Sequence, residues 1–494
     1  MKYNYNFFKR HSYLSIVLLY VLLFIPIICT RFQDLRNEIK YLVVTDQFIS
    51  DKNLFILKYL NKLYPDKPPF YFWILGLSKI ISKTYFPIIA IILGSLIPSF
   101  IIAIIFYKFI TRLKDKDMAF CSTFSLILLP LFTGLGAFLR MDMLMTMFIT
   151  ISLYLFFGFY YKWFPINTKY LFLFYISIFL GLFTKGIAGF ALPILIPIVF
   201  LIFEKKISFL KTIKLHIGLI FIILLISIWF SLIYISPEGK EYIMLMIGQE
   251  TVGRIVKSKA HIKPFYYYIT ELPPIVFPYT IAIIWASILK FKTLNKWKNW
   301  APMEKIGFIW TFVPLIMFSL ASGKLAVYLL PLMPGVIMLI HSTFIKKDIK
   351  YKEIILKTCE ILPIIPFVIS IIEKKKRDIY SRINRINYSL IIIFFIAFTG
   401  INYYNTNYTV KPFLKILREH KVYMYTFNDG LNLKYFVPYN ITTFNSIEKV
   451  NVASPKYVMT KFKYHKILED NNYKIMLKNK NYAIFIKDNK KAAN

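Results

Sequence analysis

Acidic residues and glycine are scarce in this chain. Only 25 of its 494 residues are Asp or Glu, against 62 Lys and Arg, so the formal charge is +37 at pH 7. Seventeen Gly exclude a collagen-like repeat, and three Cys, all in apolar runs, exclude a disulfide framework. Neither a Walker phosphate loop nor a dinucleotide glycine fingerprint occurs, which argues against nucleotide-driven transport.

Long apolar runs dominate the chain instead. Hydrophobic residues make up 57% of it, and the mean hydropathy is +0.56. Because a membrane span needs about 20 apolar residues, such runs predict an all-α polytopic membrane protein with about 11–13 spans. The candidate spans lie near 13–29, 87–108, 118–135, 143–161, 170–184, 187–203, 215–236, 273–289, 306–321, 325–345, 354–372 and 389–402. The basic residues sit between these runs, which favours membrane topology and membrane-lipid contact over a nucleic-acid partner.

Lys and Arg in the short connections predict the orientation. Lys2, Lys9 and Arg10 place the N-terminus in the cytoplasm. The compact basic loops on the same side are 108–117, 161–169, 204–214 and 290–305. The alternate connections then face outward, namely 31–86, 136–142, the turn at 185, 235–272 and 322–324.

The last part of the chain breaks this alternation. Basic segments flank the run 354–372 on both sides, which favours a re-entrant hairpin or two very short spans over a genuine crossing. Residues 1–402 are predicted as the transmembrane catalytic domain, with long outer loops 31–86 and 235–272. Residues 403–494 are predicted as a small extracytoplasmic α/β domain. Its predicted elements are a helix at 411–419 and strands at 422–426, 434–437, 457–460, 473–477 and 482–486.

The outer connections carry basic side chains beside carboxylates and aromatic rings, contrary to the usual charge rule. An anionic ligand accounts for this pattern, because Lys and Arg hold phosphate and Tyr or Trp stack on sugars. A lipid-linked phosphosugar combines both features. Plainer interpretations stay open: a structural turn at 66–69, an ion pair between Arg140 and Asp142, and a snorkelling Lys185. A zinc site has little support, since His261 has no His or Cys at ligand spacing.

Six short motifs occur in order along these connections. They are Asn37-Glu38-Ile39-Lys40-Tyr41, Asp66-Lys67-Pro68-Pro69, Arg140-Met141-Asp142-Met143, Gly181 to Gly186, Glu250 to Arg254 with His261 to Tyr267, and Ser322 to Pro331. Together they resemble the polyprenyl-phosphate-dependent glycosyltransferases of the type C membrane fold. The bacterial aminoarabinose lipid A transferases and the protein O-mannosyltransferases are the similar branches. The resemblance covers residues 31–335, and each motif is weak alone.

The resemblance implies a set of site residues. The catalytic candidates are Asp66, Asp142, Glu38 and Asp34. The donor-phosphate ligands are Lys67, Lys40, Arg140, Lys185, Arg254, His261 and Lys324. The substrate-lining residues are Asn37, Tyr41, Glu250, Tyr267 and Tyr328. No cofactor is assigned, although a divalent cation remains an open alternative, and its ligands are unknown.

Three positions depart from the family pattern. Asn37 stands where the family has its candidate catalytic Asp, and Asn cannot act as a base, so Glu38 or Asp34 is the substitute. Asp66 replaces the usual Glu, and Lys40 replaces an Arg, which loses bidentate phosphate geometry. A phosphate acceptor arrives ionised and needs no base, whereas a Ser or Thr hydroxyl does. Asn37 therefore favours lipid A as the acceptor over a glycoprotein.

The resemblance thus implies a bacterial inner-membrane enzyme that moves a sugar from undecaprenyl phosphate to an extracytoplasmic acceptor. Protein O-glycosylation is the alternative acceptor chemistry. A non-catalytic transporter of lipid-linked sugars, or an inactive transferase relative, would also fit the spans and the basic outer face.

Overall fold

The computed structural model describes residues 11–248, 262–346, 351–363 and 378–488. Eight helices in these ranges are long and apolar enough to cross a membrane, and a ninth span is formed if one bent pair counts as one. The protein is therefore a multi-pass α-helical membrane protein. Its helices up to residue 399 are Ser12–Thr30, Lys40–Asp51, Phe70–Ile81, Phe86–Leu113, Lys116–Ile127, Pro130–Gly136, Met141–Tyr160, Thr168–Lys185, Ile187–Phe203, Phe209–Thr212, Leu215–Tyr234, Gly239–Leu245, Tyr267–Ile275, Thr280–Lys292, Pro302–Leu320, Met333–Ile345, Lys352–Ile361 and Ile379–Thr399. Short 3₁₀ segments at Leu294–Asn299 and Ala326–Leu332 complete this region.

Two runs predicted as single spans are broken. The run 118–135 is the helix pair Lys116–Ile127 and Pro130–Gly136, which meet at an angle of 68°. Pro130 cannot continue a helix, so Leu129 before it is extended. The hydroxyl of Thr133 donates to the carbonyl of Ile127 at 2.6 Å and satisfies a backbone group that the break exposes. The run 273–289 is likewise divided between Tyr267–Ile275 and Thr280–Lys292.

The region of the predicted hairpin contains the helix Lys352–Ile361 and, later, the span Ile379–Thr399. Residues 364–377 lie outside the described ranges, so the hairpin stays a prediction. The two helices are joined by Glu360, which is 8% exposed and accepts hydrogen bonds from Arg382 at 2.8 Å and Arg385 at 2.9 Å. Arg382 also pairs with the exposed Glu353.

Replacing Glu360 with Gln is expected to lower the free energy of unfolding by about 3 kcal/mol, because two guanidinium groups lose a buried counter-charge. The matched change Glu353→Gln removes a carboxylate that is 74% exposed and is expected to cost less than about 0.5 kcal/mol. Denaturation in detergent micelles measures both. Equal losses for the two variants would contradict a special role for Glu360.

A short antiparallel hairpin, β1 (Lys58–Tyr59) and β2 (Lys62–Leu63), precedes the helix Phe70–Ile81. The C-terminal region contains a five-stranded mixed sheet. Its strands are β3 (Tyr423–Tyr425), β4 (Thr443–Phe444), β5 (Tyr457–Lys461), β6 (Tyr473–Lys478) and β7 (Tyr482–Lys487), in the order β4-β3-β5-β7-β6. β3 pairs in parallel with β4 and β5, whereas β7 pairs antiparallel with β5 and β6. The helices around the sheet are Ile401–Tyr408, Leu414–Glu419, Ile447–Ala453 and His465–Glu469, with 3₁₀ turns at Lys411–Phe413, Asn428–Tyr435 and Phe462–Tyr464.

Four of the five predicted strands are confirmed, and so is the helical segment at 411–419. The strand predicted at 434–437 is wrong, because the chain forms the 3₁₀ turn Asn428–Tyr435 there. This turn packs on the loop after the first span. The side-chain amide of Asn432 donates to the carbonyl of Leu35 at 2.9 Å, and its oxygen accepts from the hydroxyl of Tyr59 at 2.8 Å. A tertiary contact thus overrides the local strand preference.

A second contact fixes the same loop to the helix that follows the last span. The side chain of Asn405 accepts from the backbone N–H of Phe32 at 2.9 Å and donates to the carbonyl of Thr30 at 2.8 Å. Asn405 is buried, and it lies in Ile401–Tyr408, the helix that the predicted boundary at 402/403 cuts. The C-terminal region and the loop after the first span therefore form one packed unit.

Candidate functional site

The loop after the first span contains a single π-helical turn, Leu35–Ile39, which leads into the helix Lys40–Asp51. Asp34 caps this turn. Its Oδ1 accepts from the backbone N–H of Asn37 at 2.7 Å and from the side-chain amide of Asn37 at 2.8 Å. Asn37 therefore supplies both hydrogen-bond donors of this cap. π-Helical turns are rare and are often found at functional sites.

Glu38 is completely buried and makes four short hydrogen bonds. Both of its oxygens accept from the guanidinium of Arg31 at 2.7 Å. Oε2 also accepts from the backbone N–H of Asp34 at 2.7 Å, and Oε1 accepts from that of Leu139 at 2.8 Å. The interpretation of Glu38 as a substitute base stays a prediction, but these contacts favour a role in holding the loop.

The turn before the helix Met141–Tyr160 carries Arg140. Three groups from elsewhere in the chain contact this turn. Arg31 donates to the carbonyl of Ala137 at 2.9 Å, Glu38 accepts from Leu139, and the hydroxyl of Ser95 donates to the carbonyl of Phe138 at 2.7 Å. The position of Arg140 is thus set by side chains that lie far away in sequence.

Arg140, Asp142 and Lys185 form a buried cluster where two spans reach the same surface. Asp142 is 1% exposed, its Oδ2 accepts from Arg140 Nε at 3.0 Å, and its Oδ1 accepts from Lys185 Nζ. Lys185 is the last residue of the helix Thr168–Lys185, which ends at Gly186 with a φ of +91°. A glycine adopts this conformation without strain, so the chain turns directly after the Lys. One carboxylate and two cations leave the cluster with a net positive charge.

Two tyrosines lie beside the cluster. The ammonium of Lys185 lies 4.5 Å from the ring centroid of Tyr328. Burial raises the pKa of Tyr41 to about 12; Arg140 opposes this rise, and Asp142 adds to it. Burial lowers the pKa of Arg140, but the neighbouring Asp142 offsets this and leaves it raised above the ordinary value. Arg140 therefore stays cationic at every physiological pH.

The segment with the paired prolines lies beside this cluster. Asp66 is close enough to Tyr41 to act on its ionisation. Lys67 precedes the helix Phe70–Ile81, whose Phe70 and Trp73 both contact the ring of Phe183. Phe183 lies two residues before Lys185. The loops of 66–69 and 185 are thus connected through aromatic packing.

Other candidate residues have further contacts of their own. The ammonium of Lys40 lies over the rings of Tyr59 and Tyr64, at 5.0 and 4.5 Å. Lys324 is buried and donates to the carbonyls of Ala321 and Lys263.

The ring of Tyr267, a predicted substrate-lining residue, lies 5.8 Å from the ammonium of Lys263. Glu250, Arg254 and His261 lie outside the described residues. The roles predicted for all of these residues stay predictions.

Arg31 and Ser95 were not among the predicted site residues. In the sequence, Arg31 ends the first apolar run, and Ser95 is a polar residue within the run 87–108. Their partners are backbone groups 106 and 43 residues away. The one feature of the sequence that could have indicated a role for Ser95 is its polar side chain within an apolar run.

Metal ligands were left open by the sequence. In the part of the chain that the structure describes, no group of three or more His, Cys, Asp or Glu side chains is placed to hold a metal ion. The divalent cation stays an untested alternative.

Comparisons with known proteins agree with this architecture. Residues 66–231 match the family described as dolichyl-phosphate-mannose-protein mannosyltransferase. Two curated relatives are undecaprenyl phosphate-α-4-amino-4-deoxy-L-arabinose arabinosyl transferases. The protein from Wigglesworthia glossinidia brevipalpis is 27% identical over 81% of this chain and 68% of its own length. The one from Photorhabdus laumondii is 26% identical over 61% of this chain and 54% of its own.

Among solved structures, the chain resembles ArnT from Cupriavidus metallidurans bound to undecaprenyl phosphate. The TM-score is 0.75 at 12% identity, over 96% of this chain and 97% of that one. The apo form of the same protein gives a TM-score of 0.72. This likeness shows the fold, and the sequence relatives indicate the class of reaction. The chain is related to the aminoarabinose transferases and the protein mannosyltransferases, and it is a membrane glycosyltransferase that uses a lipid-phosphate sugar donor.

Proposed function

We propose that this protein transfers a sugar from undecaprenyl phosphate to a phosphate group of lipid A. The observation that carries the proposal is the buried cluster of Arg140, Asp142 and Lys185, which has two cations for one carboxylate. An excess positive charge in a partly desolvated site is stabilised by an anionic ligand. The phosphate of a polyprenyl donor supplies that anion beside the apolar surface that its chain requires.

The reaction is a single displacement. An oxygen of the acceptor phosphate attacks the anomeric carbon, the bond from that carbon to the donor phosphate breaks, and its electron pair stays on the departing polyprenyl phosphate. Lys185 and Arg140, with Lys67 on the adjoining loop, stabilise the negative charge that develops there. The leaving group is a stable anion and needs no proton, and the anomeric configuration inverts.

Three of the four candidate catalytic carboxylates favour an acceptor that arrives ionised. Glu38 and Asp142 are both committed to ion pairs, and Asp34 accepts two hydrogen bonds from Asn37. A hydroxyl acceptor needs a base that takes its proton, whereas a phosphate monoester does not. The relatives named as aminoarabinose transferases point the same way.

The proposed orientation follows from the loop charges. The N-terminus lies in the cytoplasm, and the Asp142 cluster and the C-terminal region lie outside, where lipid A and the donor headgroup meet. Cysteine labelling of Ser454→Cys and Ser208→Cys with an impermeant maleimide tests this proposal. Reaction of position 208 but not 454 in intact cells would contradict it.

Mass spectrometry of lipid A tests the acceptor. Extracts from a Gram-negative strain with and without this gene are expected to differ by one hexose, hexosamine or pentosamine, and Lys185→Gln is expected not to restore the difference. Lys449→Gln, which changes an exposed lysine of the C-terminal region, serves as the matched control. Lipid A that is identical with and without the gene would refute this acceptor.

Protein O-glycosylation is the second candidate, because the family that matches residues 66–231 is described as a protein mannosyltransferase. It predicts unchanged lipid A and the loss of a glycan from envelope proteins. The same pair of strains distinguishes the two acceptors.

A further inference from the structure

We infer that Arg31, Glu38 and Ser95 form a clamp that positions Arg140 for the donor phosphate, and that Glu38 is a positioning residue rather than a base. The inference rests on the proposed function. The clamp holds the turn 137–140, because each of the four residues of this turn has a backbone group that is hydrogen-bonded to one of the three clamp side chains.

The clamp side chains bind both backbone carbonyl groups and backbone N–H groups of the turn. Arg31 Nη2 donates to the carbonyl of Ala137 at 2.9 Å, and Glu38 Oε1 accepts from the N–H of Leu139 at 2.8 Å. These two contacts lie two residues apart on one turn. Because Arg31 and Glu38 are themselves joined by two bonds of 2.7 Å, they act on the turn as a single rigid unit.

Ser95 holds the turn from a different helix. Its hydroxyl donates to the carbonyl of Phe138 at 2.7 Å and lies 3.4 Å from the N–H of Arg140. It belongs to the π-turn Ile92–Leu96 within the helix Phe86–Leu113, and it is buried. The first loop and this helix therefore contact the turn independently.

The position of the clamp explains its effect on chemistry. Arg140 directly follows the gripped residues, and its guanidinium reaches Asp142 at 3.0 Å. A shift of about 1 Å in a group that binds the reacting phosphate costs about 100-fold in rate. The carboxylate of Glu38 accepts two hydrogen bonds from Arg31, one from the N–H of Asp34 and one from the N–H of Leu139. It is therefore committed to holding the loop and the turn.

Glu38→Gln is the primary test, since an amide keeps the shape but presents N–H groups to donors. Turnover is expected to fall about 100-fold, with a raised KM for the donor and an unchanged pH profile. Loss of one limb of the pH profile would overturn the inference and establish Glu38 as a base. Glu448→Gln, at an exposed glutamate of the C-terminal region, is the matched control.

A double-mutant cycle tests the action through Arg140. Arg140→Gln is expected to cost much less in the Glu38→Gln background than in the native one, because the clamp no longer holds its guanidinium in place. Ser95→Ala is the milder variant, and it is expected to show the same coupling if Glu38→Gln fails to fold. Fully additive effects in both backgrounds would overturn the inference.

Hydrogen exchange separates this inference from the proposed function. The amide of Leu139 is expected to exchange at least about tenfold faster in Glu38→Gln, since it loses a charge-assisted acceptor, and to be unaffected in Glu448→Gln. This result is expected even if the native protein transfers no sugar to lipid A. Unchanged exchange at residues 137–140 would overturn the clamp, whatever the acceptor.

Discussion

Asp142→Asn is expected to lower sugar transfer by about 100-fold or more, because the two cations beside it lose the carboxylate that orients them. The same change raises the net charge of the cluster from about +1 to about +2, and a larger positive charge attracts the product anion more strongly. Undecaprenyl phosphate is therefore expected to bind more tightly to this variant than to the native protein. Lys185→Gln removes a cation and is expected to bind it more weakly.

Titration of the purified protein with undecaprenyl phosphate measures this order of affinities. Asp470→Asn is the matched control, since Asp470 is exposed in the C-terminal region, and its affinity and turnover are expected to be unchanged. Weaker binding by Asp142→Asn would show that this carboxylate holds the cluster together rather than opposing the ligand's charge.

Asn37→Asp is expected to lower activity about tenfold at pH 8, because it places a second carboxylate against Asp34. The amide of Asn37 now donates to Asp34 at 2.8 Å. Two carboxylates at that distance share one proton, so the loss is expected to shrink as the pH falls and the pair becomes protonated. Activity relative to the native protein at each pH is the measurement.

The exchange Asp34→Asn with Asn37→Asp is expected to restore activity, because the donor and the acceptor only trade places. Asn445→Asp, at an exposed position of the C-terminal region, controls for added charge. A gain of activity in Asn37→Asp alone would instead mean that residue 37 is a lost catalytic base, as the family pattern suggests.

Much of the membrane architecture could be predicted, because a span is a local property of about 20 residues. The breaks within these spans could not be predicted. Pro130 stands in the sequence, but the apolar run continues through it, and only the packed chain shows that the segment bends by 68° there. The strand predicted at 434–437 failed for a related reason, since Asn432 is fixed by a loop 397 residues away.

The site shows the same division. Asp142 and Lys185 could be placed at the mouths of neighbouring spans from the apolar pattern alone, and they do pair. The contacts of Arg31 and Ser95 with the turn could not be predicted, because both side chains bind backbone carbonyl groups, which every residue type has. Asn37 stands where the family pattern has a base, and its amide completes the cap on Asp34, a contact that the sequence did not predict.

The two asparagines that bind the loop after the first span have a consequence for biogenesis. Asn405 and Asn432 bind the backbone of Thr30, Phe32 and Leu35 from 373 to 397 residues further along the chain. The ribosome must therefore translate the chain through residue 432 before the first loop acquires these hydrogen bonds. A prematurely terminated chain inserts its early helices but leaves that loop without these partners. The hydrogen bonds of that loop are thus completed only after residue 432 has been synthesised.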